Sequence, residues 1–137
     1  MNIKKMLEWR KVTKEIVEWN KKTFPKNSNG LQKLKLRGEV RELNEALSLA
    51  NEDNIMEECA DVAIAYLGLK RFGCKNKTEA QIFNIIKEIA AYEHFDLLEA
   101  VKRKMEINKE RVFEEKEDGT HQHKILVTGG EYEKTKH

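Results

Sequence analysis

The feature that most constrains this chain is its scarcity of helix breakers. Among 137 residues there is one proline, Pro25, and proline is the residue that most strongly interrupts helices and central strands. The seven glycines fall mostly where a helix could end, and Gly38 is the exception because it lies inside a helical pattern. This distribution of proline and glycine predicts an all-α fold, a bundle of four to five helices.

Helical spacing of apolar residues, together with side chains that can cap helix ends, locates the expected helices. They span residues 3–23, 31–50 and 54–72, followed by a fourth helix from Thr78 and a fifth from Asp96 through Phe113. We expect residues 1–113 to form one helical domain. Residues 114–137 are expected to form an irregular C-terminal tail that could close over the functional site, although its run KILVT is typical of a strand.

Composition bears on assembly and on partners. Charged residues make up 36% of the chain and the mean hydropathy is −0.73, which leaves few apolar residues for a monomeric core. The first helix nevertheless carries an apolar arc wider than one core-facing stripe requires, so we expect it to pack against another copy of the chain as well. The net charge of only +2 gives no electrostatic case for binding a nucleic-acid duplex.

The cysteines and the lengths of the apolar runs indicate the cellular compartment of the protein. Cys59 and Cys74 are not spaced as a CxxC motif, which fits a reduced intracellular protein better than a disulfide scaffold, and we interpret both as structural. No signal peptide opens the sequence, and no apolar run approaches the roughly 20 residues that a membrane span needs. We therefore expect a cytoplasmic protein without a membrane partner.

Two acidic pairs stand out against this background, Glu39 with Glu42 and Glu58 with Asp61. A spacing of three places both carboxylates of a pair on one helical face. Asp61 is the only charged residue from Cys59 to Leu69, and an isolated carboxylate in such surroundings costs several kcal/mol unless it is neutralised. A divalent cation between the second and third helices would neutralise it.

The size of the neighbouring side chains also bears on this hypothesis. On a helical wheel, Ala65 and Gly68 lie next to Asp61 and are the smallest residues of the following turn, so we expect them to leave space for a metal or a phosphate. A buried acid paired with a lysine explains the same pattern without a metal, and the residues alone do not choose between the two.

The type of ligand narrows the choice of metal. Four carboxylates without a nearby histidine favour Mg²⁺, which prefers oxygen ligands and usually meets its protein through carboxylates plus substrate phosphates, with Mn²⁺ as a substitute. A di-iron site of the ferritin type needs Glu-x-x-His on two helices, and the sequence contains none.

The last long helix supplies charge of the opposite sign. Lys104, Asn108 and Arg111 share a face that continues the apolar positions Leu97 and Val101, so these polar groups extend a stripe that points inward. Lys104 and Arg111 could hold phosphate oxygens, and Asn108 could bond a sugar or a phosphate. The alternative is an ordinary helix C-terminus, where cations are favoured by the helix dipole.

Taken together, these segments resemble a known family, the MazG-like all-α nucleoside triphosphate pyrophosphohydrolases. Their signature is E-E-x-x-E, a variable gap, E-x-x-D, and later a helix that bears Lys, Asn and Arg. The matching segments are GEVREL from Gly38, ECADV from Glu58 and KRKMEINKER from Lys102. DGTHQH, residues 118–123, is similar to the tail of phage-type and related bacterial single-domain members. The resemblance covers about residues 6–123.

The resemblance implies an activity and a set of roles. The expected reaction is hydrolysis of a (deoxy)nucleoside triphosphate between its α and β phosphates, which yields a nucleoside monophosphate and pyrophosphate. The implied ligands of Mg²⁺ are Glu39, Glu42, Glu58 and Asp61, with Glu39 or Glu42 accepting the proton of the attacking water. Lys104 and Arg111 would hold phosphate oxygens while Asn108 orients the nucleotide. Members of the family commonly assemble as dimers or as pairs of dimers.

Further contacts with the nucleotide are expected from scattered positions. Trp19 could stack on a base, although aromatic residues at a helix end lie more often in the core. Lys35 could reach a phosphate, and the resemblance suggests His121 and His123 as nucleotide contacts. Two features depart from the family pattern: Gly38 replaces the first Glu of its doublet, and residues 75–95 look like an insertion.

A function of another class is compatible with the same residues. A non-catalytic helical adaptor would assemble through the wide apolar arc of the first helix and would use its acids in salt bridges. Such a protein would be indifferent to Mg²⁺, whereas a hydrolase should be stabilised by Mg²⁺ with nucleotide.

Overall fold

A computed structural model describes residues 2–73, 77–115, 121–127 and 131–134, with the backbone alone from residue 112 onward. The α-helices are α1 (Ile3–Thr23), α2 (Asn29–Leu49), α3 (Glu52–Gly68), α4 (Lys77–Tyr92) and α5 (Leu97–Glu110). A short 3₁₀ helix, Leu69–Phe72, continues from α3. The five α-helices confirm the predicted all-α bundle and its upper helix count.

Polar side chains define where the helices begin. Asn2, Ser28, Asn51 and Asp96 each accept a hydrogen bond from a backbone N–H three residues further on, which satisfies a donor that the first helical turn leaves free. The third helix was expected from Asn54 and begins instead at Glu52, because Asn51 is the residue that caps it. The fifth was expected through Phe113 and ends at Glu110.

The connections require unusual backbone conformations at three places. Ala50 after α2 and His94 between α4 and α5 have positive φ, and Gly73 has φ of +67° at the end of the 3₁₀ helix. A left-handed residue stops a helix and turns the chain, so the break near residue 94 separates two helices rather than bending one. Residues 75–95, read from the sequence as an insertion, are mostly occupied by α4.

α3 forms the centre of the bundle and contacts α1, α2, α4 and α5. It is apolar on nearly all sides, as a helix surrounded by others must be. Its buried residues are Ile55, Glu58, Cys59, Ala60, Val62, Ala63, Ile64, Ala65, Leu67 and Gly68. Two acids of the predicted site therefore lie on the helix that is most enclosed by the fold.

The C-terminal segment differs from the expectation of an irregular tail. Its backbone forms a three-stranded antiparallel sheet in the order β1 (Val112–Glu115), β2 (His121–Val127) and β3 (Glu131–Lys134). Val112 pairs with Lys124, which in turn pairs with Lys134. Most of the strand-like run KILVT lies in β2. The expected domain boundary at residue 113 falls inside β1.

Part of the apolar surface of the helices is uncovered. Ile3 and Leu7 on α1 and Ile85 on α4 are exposed, so the apolar arc of the first helix is only partly buried within the chain. Within the described ranges, no helix combines the length and the apolar character needed to cross a membrane.

Candidate functional site

Three carboxylates from α2 and α3 converge. Glu39, Glu58 and Asp61 each offer an oxygen, and these oxygens lie within 4.8 Å of one another. Glu39 is 2% exposed and Glu58 is 8% exposed, whereas the side chain of Asp61 is 19% exposed. We call these three residues the acidic group. It lies between the two helices on which the sequence placed it, and Asp61 is its most open member.

The fourth expected acid, Glu42, lies outside the acidic group. It is partly exposed, one helical turn from Glu39 on α2, and its charge is close enough to raise the pKa of Glu39. The structure therefore brings three of the four predicted metal ligands together and leaves Glu42 beside them.

The surroundings of the acidic group disfavour the ionised form of its carboxyl groups. Burial raises the pKa of Glu39 from 4.5 to about 8; Lys35 opposes this shift, while Asp61, Glu42 and Glu58 add to it. In water-like surroundings all four carboxyls would be ionised at pH 7. The site therefore favours a proton or another cation at Glu39.

Burial raises the pKa of Asp61 as well. The shift is opposed chiefly by Lys104, and also by Lys35 and Arg111. Positive charges from α2 and from the region of α5 therefore both act on Asp61. The expected cationic face of α5 lies beside the acidic group.

Two lysines contact the acidic group directly. The Nζ atom of Lys35 lies 3.3 Å from Oε1 of Glu39, and the Nζ atom of Lys104 lies 3.5 Å from Oδ1 of Asp61. Oε2 of Glu39 is buried and accepts no hydrogen bond from the described residues. The lysine pairing that the sequence left open is thus present, yet it leaves a buried carboxylate oxygen unsatisfied, which is costly.

The donor set fits a divalent cation. Three carboxylates that share one small volume, with an orphaned buried oxygen among them, are the oxygen-only ligands that Mg²⁺ prefers. A cation there would offset the mutual repulsion of the three carboxylates.

The other two predicted substrate-binding residues near the C-terminal end of α5 are Asn108, on the helix, and Arg111, which follows it. Asn108 is buried, and Nη1 of Arg111 is 3.5 Å from its Oδ1 atom. Lys104 and Asn108 lie one turn apart on α5, and Arg111 follows the last residue of that helix. We call these three residues the polar edge of α5; it lies next to Asp61, which Lys104 contacts.

The other predicted nucleotide contacts are Trp19, His121 and His123. The ring of Trp19 packs edge-on against Phe24, with centroids 5.3 Å apart, and joins the partly buried apolar residues around the core. His121 and His123 lie on β2, opposite Glu115 and Phe113, and their side chains fall outside the described part of the structure.

A second buried polar cluster escaped the sequence analysis. The side chains of Asn20, Asn27 and Gln32, which we call the amide network, bond one another at 2.7 to 3.3 Å. Gln32 Nε2 also donates to the backbone oxygen of Ala65 at 2.8 Å, and Arg71 Nη1 donates to Oδ1 of Asn20 at 2.9 Å. The signal in the sequence was a glutamine one turn before the buried Leu36, on the same face of α2.

The amide network corrects the interpretation of Gly68. The space beside Ala65 and Gly68 was expected to hold a metal or a phosphate, and the structure fills it with the side chain of Gln32. A Cβ atom at Gly68 would lie only 2.7 Å from Nε2 of Gln32. The small residue makes room for a protein amide.

Cys59 behaves as predicted. It is a buried free thiol, and burial raises its pKa to about 12, so it is not a nucleophile at neutral pH. Cys74 lies outside the described residues.

Comparison with known proteins yields one informative relative. The chain is 37% identical over 119 residues to a protein of Salmonella phage PMBT28 named dATP/dGTP diphosphohydrolase. The match covers 87% of this chain and 32% of the relative, so the chain spans about a third of the length of that protein. No protein-family model matches the chain, and no solved structure matches it.

Proposed function

We propose that this protein hydrolyses a (deoxy)nucleoside triphosphate to the nucleoside monophosphate and pyrophosphate, with Mg²⁺ as its metal and Mn²⁺ as a substitute. The observation that carries the proposal is the acidic group, in which oxygens of three carboxylates lie within 4.8 Å of one another, while a buried oxygen of Glu39 accepts no hydrogen bond from the described residues. The match to a phage protein named dATP/dGTP diphosphohydrolase supports an enzyme that acts on phosphoanhydride bonds, as does the resemblance to MazG-like pyrophosphohydrolases.

The acidic residues would hold the metal and accept a proton. Glu39, Glu58 and Asp61 would be the ligands, with Glu42 completing the set from its neighbouring position on α2. A bound Mg²⁺ would neutralise the triphosphate and polarise the attacking water. Glu39 or Glu42 would take the proton of that water.

The cationic residues would hold the substrate. Lys104 and Arg111 would bind phosphate oxygens and stabilise the charge that develops on the leaving pyrophosphate, and Lys35 would add a third cation from α2. Asn108 would orient the nucleotide, because its amide can both donate and accept hydrogen bonds. Trp19, His121 and His123 remain candidates for contact with the base or sugar.

A screen of the eight common nucleoside triphosphates, with Mg²⁺ and separate detection of pyrophosphate and phosphate, tests the proposal. We expect pyrophosphate and a monophosphate, with purine deoxynucleotides tried first because of the relative's name. Release of phosphate and a diphosphate would show a different cleavage position, and no hydrolysis of any of the eight would contradict the proposal.

We further propose that the chain is a cytoplasmic homo-oligomer, a dimer or a tetramer. The exposed residues Ile3, Leu7 and Ile85 favour assembly, because apolar surface of this kind is commonly covered by a second copy. Light scattering of the purified chain measures its mass. The same surface favours the alternative of a non-catalytic adaptor, which would assemble equally well but would show no change in thermal stability with Mg²⁺ and nucleotide.

A further inference from the structure

The ammonium groups of two lysines contact the acidic group. Lys35 reaches Glu39 from one turn earlier on α2, and Lys104 reaches Asp61 from α5. Their side chains are 23% and 14% exposed, so both are drawn into the fold rather than extended into solvent. Each contacts an oxygen of a different carboxylate.

The charge of these two groups equals that of one divalent cation. Lys35 and Lys104 together bring two positive charges to three carboxylates whose oxygens lie within 4.8 Å. A divalent ion brings the same charge in a smaller volume and can contact all three residues at once. The lysines leave Oε2 of Glu39, on a side chain that is 98% buried, without a hydrogen bond from the described residues.

We propose that Lys35 and Lys104 are exchangeable partners of the acidic group: they contact Glu39 and Asp61 in the metal-free protein, leave these residues when a divalent cation binds, and then bind the triphosphate. This inference rests on the proposed function. A lysine suits such an exchange because its ammonium is a compact charge on a flexible four-carbon stem.

The exchange couples binding of the metal to binding of the substrate. When the cation takes over Glu39 and Asp61, two ammonium groups lose their partners beside the polar edge of α5, where Arg111 already contacts Asn108. A triphosphate supplies new partners for them. Binding of each ligand therefore strengthens binding of the other, as any coupling between two sites must do in both directions.

The chemical reactivity of the lysines measures the exchange in the protein without any substitution. The full chain is treated briefly with an acetylating reagent, without metal and with Mg²⁺, and modification of each lysine is followed by mass spectrometry. We expect Mg²⁺ to raise modification of Lys35 and Lys104 about fivefold, the change that corresponds to losing an ion pair worth about 1 kcal/mol. Lys102, two residues from Lys104 and paired with Glu8 and Glu99, is the internal control and should not change.

Addition of substrate should reverse the effect. With Mg²⁺ present, a deoxyadenosine triphosphate analogue with a methylene group between its α and β phosphorus atoms should protect both lysines again. Modification that stays high after the analogue has bound would overturn the second half of the exchange.

Metal affinity provides an independent measurement. Mn²⁺ is titrated into the chain without nucleotide and free Mn²⁺ is read by electron paramagnetic resonance. Lys104→Met should bind Mn²⁺ about tenfold more tightly than the unmodified chain, because a positive charge 3.5 Å from a ligand no longer competes. Lys102→Met removes the same charge from the same helix and should change the affinity by less than about twofold.

The exchange and the proposed function fail in different ways. If Mn²⁺ binds but Mg²⁺ leaves modification of Lys35 and Lys104 level or lowers it, the exchange is wrong and the metal site stands. If Lys104→Met binds Mn²⁺ no more tightly than Lys102→Met, the exchange is equally wrong. If the unmodified chain binds no Mn²⁺ at all, the proposed function fails and the exchange with it.

Discussion

Two polar clusters lie on one face of α2, and they differ in how completely their polar atoms are hydrogen-bonded. Gln32 and Glu39 are two helical turns apart and almost equally buried. The amide network around Gln32 is neutral, and its members bond one another, Ala65 and Arg71. The acidic group around Glu39 consists of three ionisable carboxyls and leaves a buried oxygen without a donor among the described residues.

The difference separates a cluster that holds helices together from one that favours the binding of a cation. Buried amides with matched donors and acceptors fix the positions of α1, α2 and α3 relative to one another. Clustered buried carboxylates repel one another and raise the free energy of the folded state, so a cation that enters among them is stabilising. Equal burial on one helix face therefore does not imply an equal role, and each cluster predicts its own response to substitution.

The largest expected effect is on catalysis by the acidic group. Asp61→Asn removes one proposed metal ligand and one negative charge that would attract the metal, so we expect turnover to fall by roughly a hundredfold or more while the fold is retained or stabilised. Turnover with Mg²⁺ and the free energy of unfolding in urea are measured together.

The matched control for this change is Glu57→Gln. Glu57 lies on the same helix and is exposed, so its loss should leave both quantities nearly unchanged. Full activity of Asp61→Asn would remove Asp61 from the site and would make the acidic group as structural as the amide network.

The next effect is a pH dependence of stability. Because the pKa of Glu39 is about 8 in the folded chain and near 4.5 when unfolded, the folded chain keeps a proton that the unfolded chain has lost. The stabilisation is complete below about pH 4.5, so the free energy of unfolding falls as the pH rises towards 8. Glu39→Gln removes this loss and should be more stable than the unmodified chain by about 2 kcal/mol or more at pH 8 without metal.

Urea denaturation at pH 5 and at pH 8, with a chelator present, measures this difference. The two proteins should be closer in stability at pH 5 than at pH 8. Glu45→Gln, an exposed acid on the same helix, is the control and should follow the unmodified chain. Parallel pH profiles of Glu39→Gln and the unmodified chain would show that burial of Glu39 has no energetic cost.

The smallest effect concerns the amide network. Gly68→Ala places a methyl group 2.7 Å from Nε2 of Gln32 and should break its bond to Ala65, at a cost of about 1 to 2 kcal/mol in thermal or urea unfolding. Gly30→Ala, whose added Cβ meets no atom within 4 Å, should be neutral or slightly stabilising. Equal stability of the two variants would show that Gln32 moves aside freely and that the network is loose.

The sequence predicted the helices and the convergence of Glu39 with Asp61 for physical reasons. Apolar periodicity reports which face of a helix is buried, and a carboxylate inside an apolar arc stands out because its burial is costly. Both signals are local, so they are readable along a single chain. The roles of the converging residues stay predictions.

The amide network and the sheet were missed because their signals are not local. Gln32 contacts Asn20 and Ala65, which lie 12 and 33 residues away, and a neutral amide carries no charge pattern that would mark it. The small size of Gly68 was noticed, but size alone does not tell which side chain fills the space. The strands of the C-terminal segment are rich in polar residues, and only β2 contains a recognisable apolar run.

α3 carries parts of both clusters on a single helix, since Asp61 and Ala65 are one turn apart. An extra residue inserted between them would rotate everything beyond it by about 100° and would separate the carboxylates from the carbonyl that Gln32 needs. Changes of length in chains of this kind are therefore expected in the connections around α3, and a comparison of many such sequences should find this segment free of gaps.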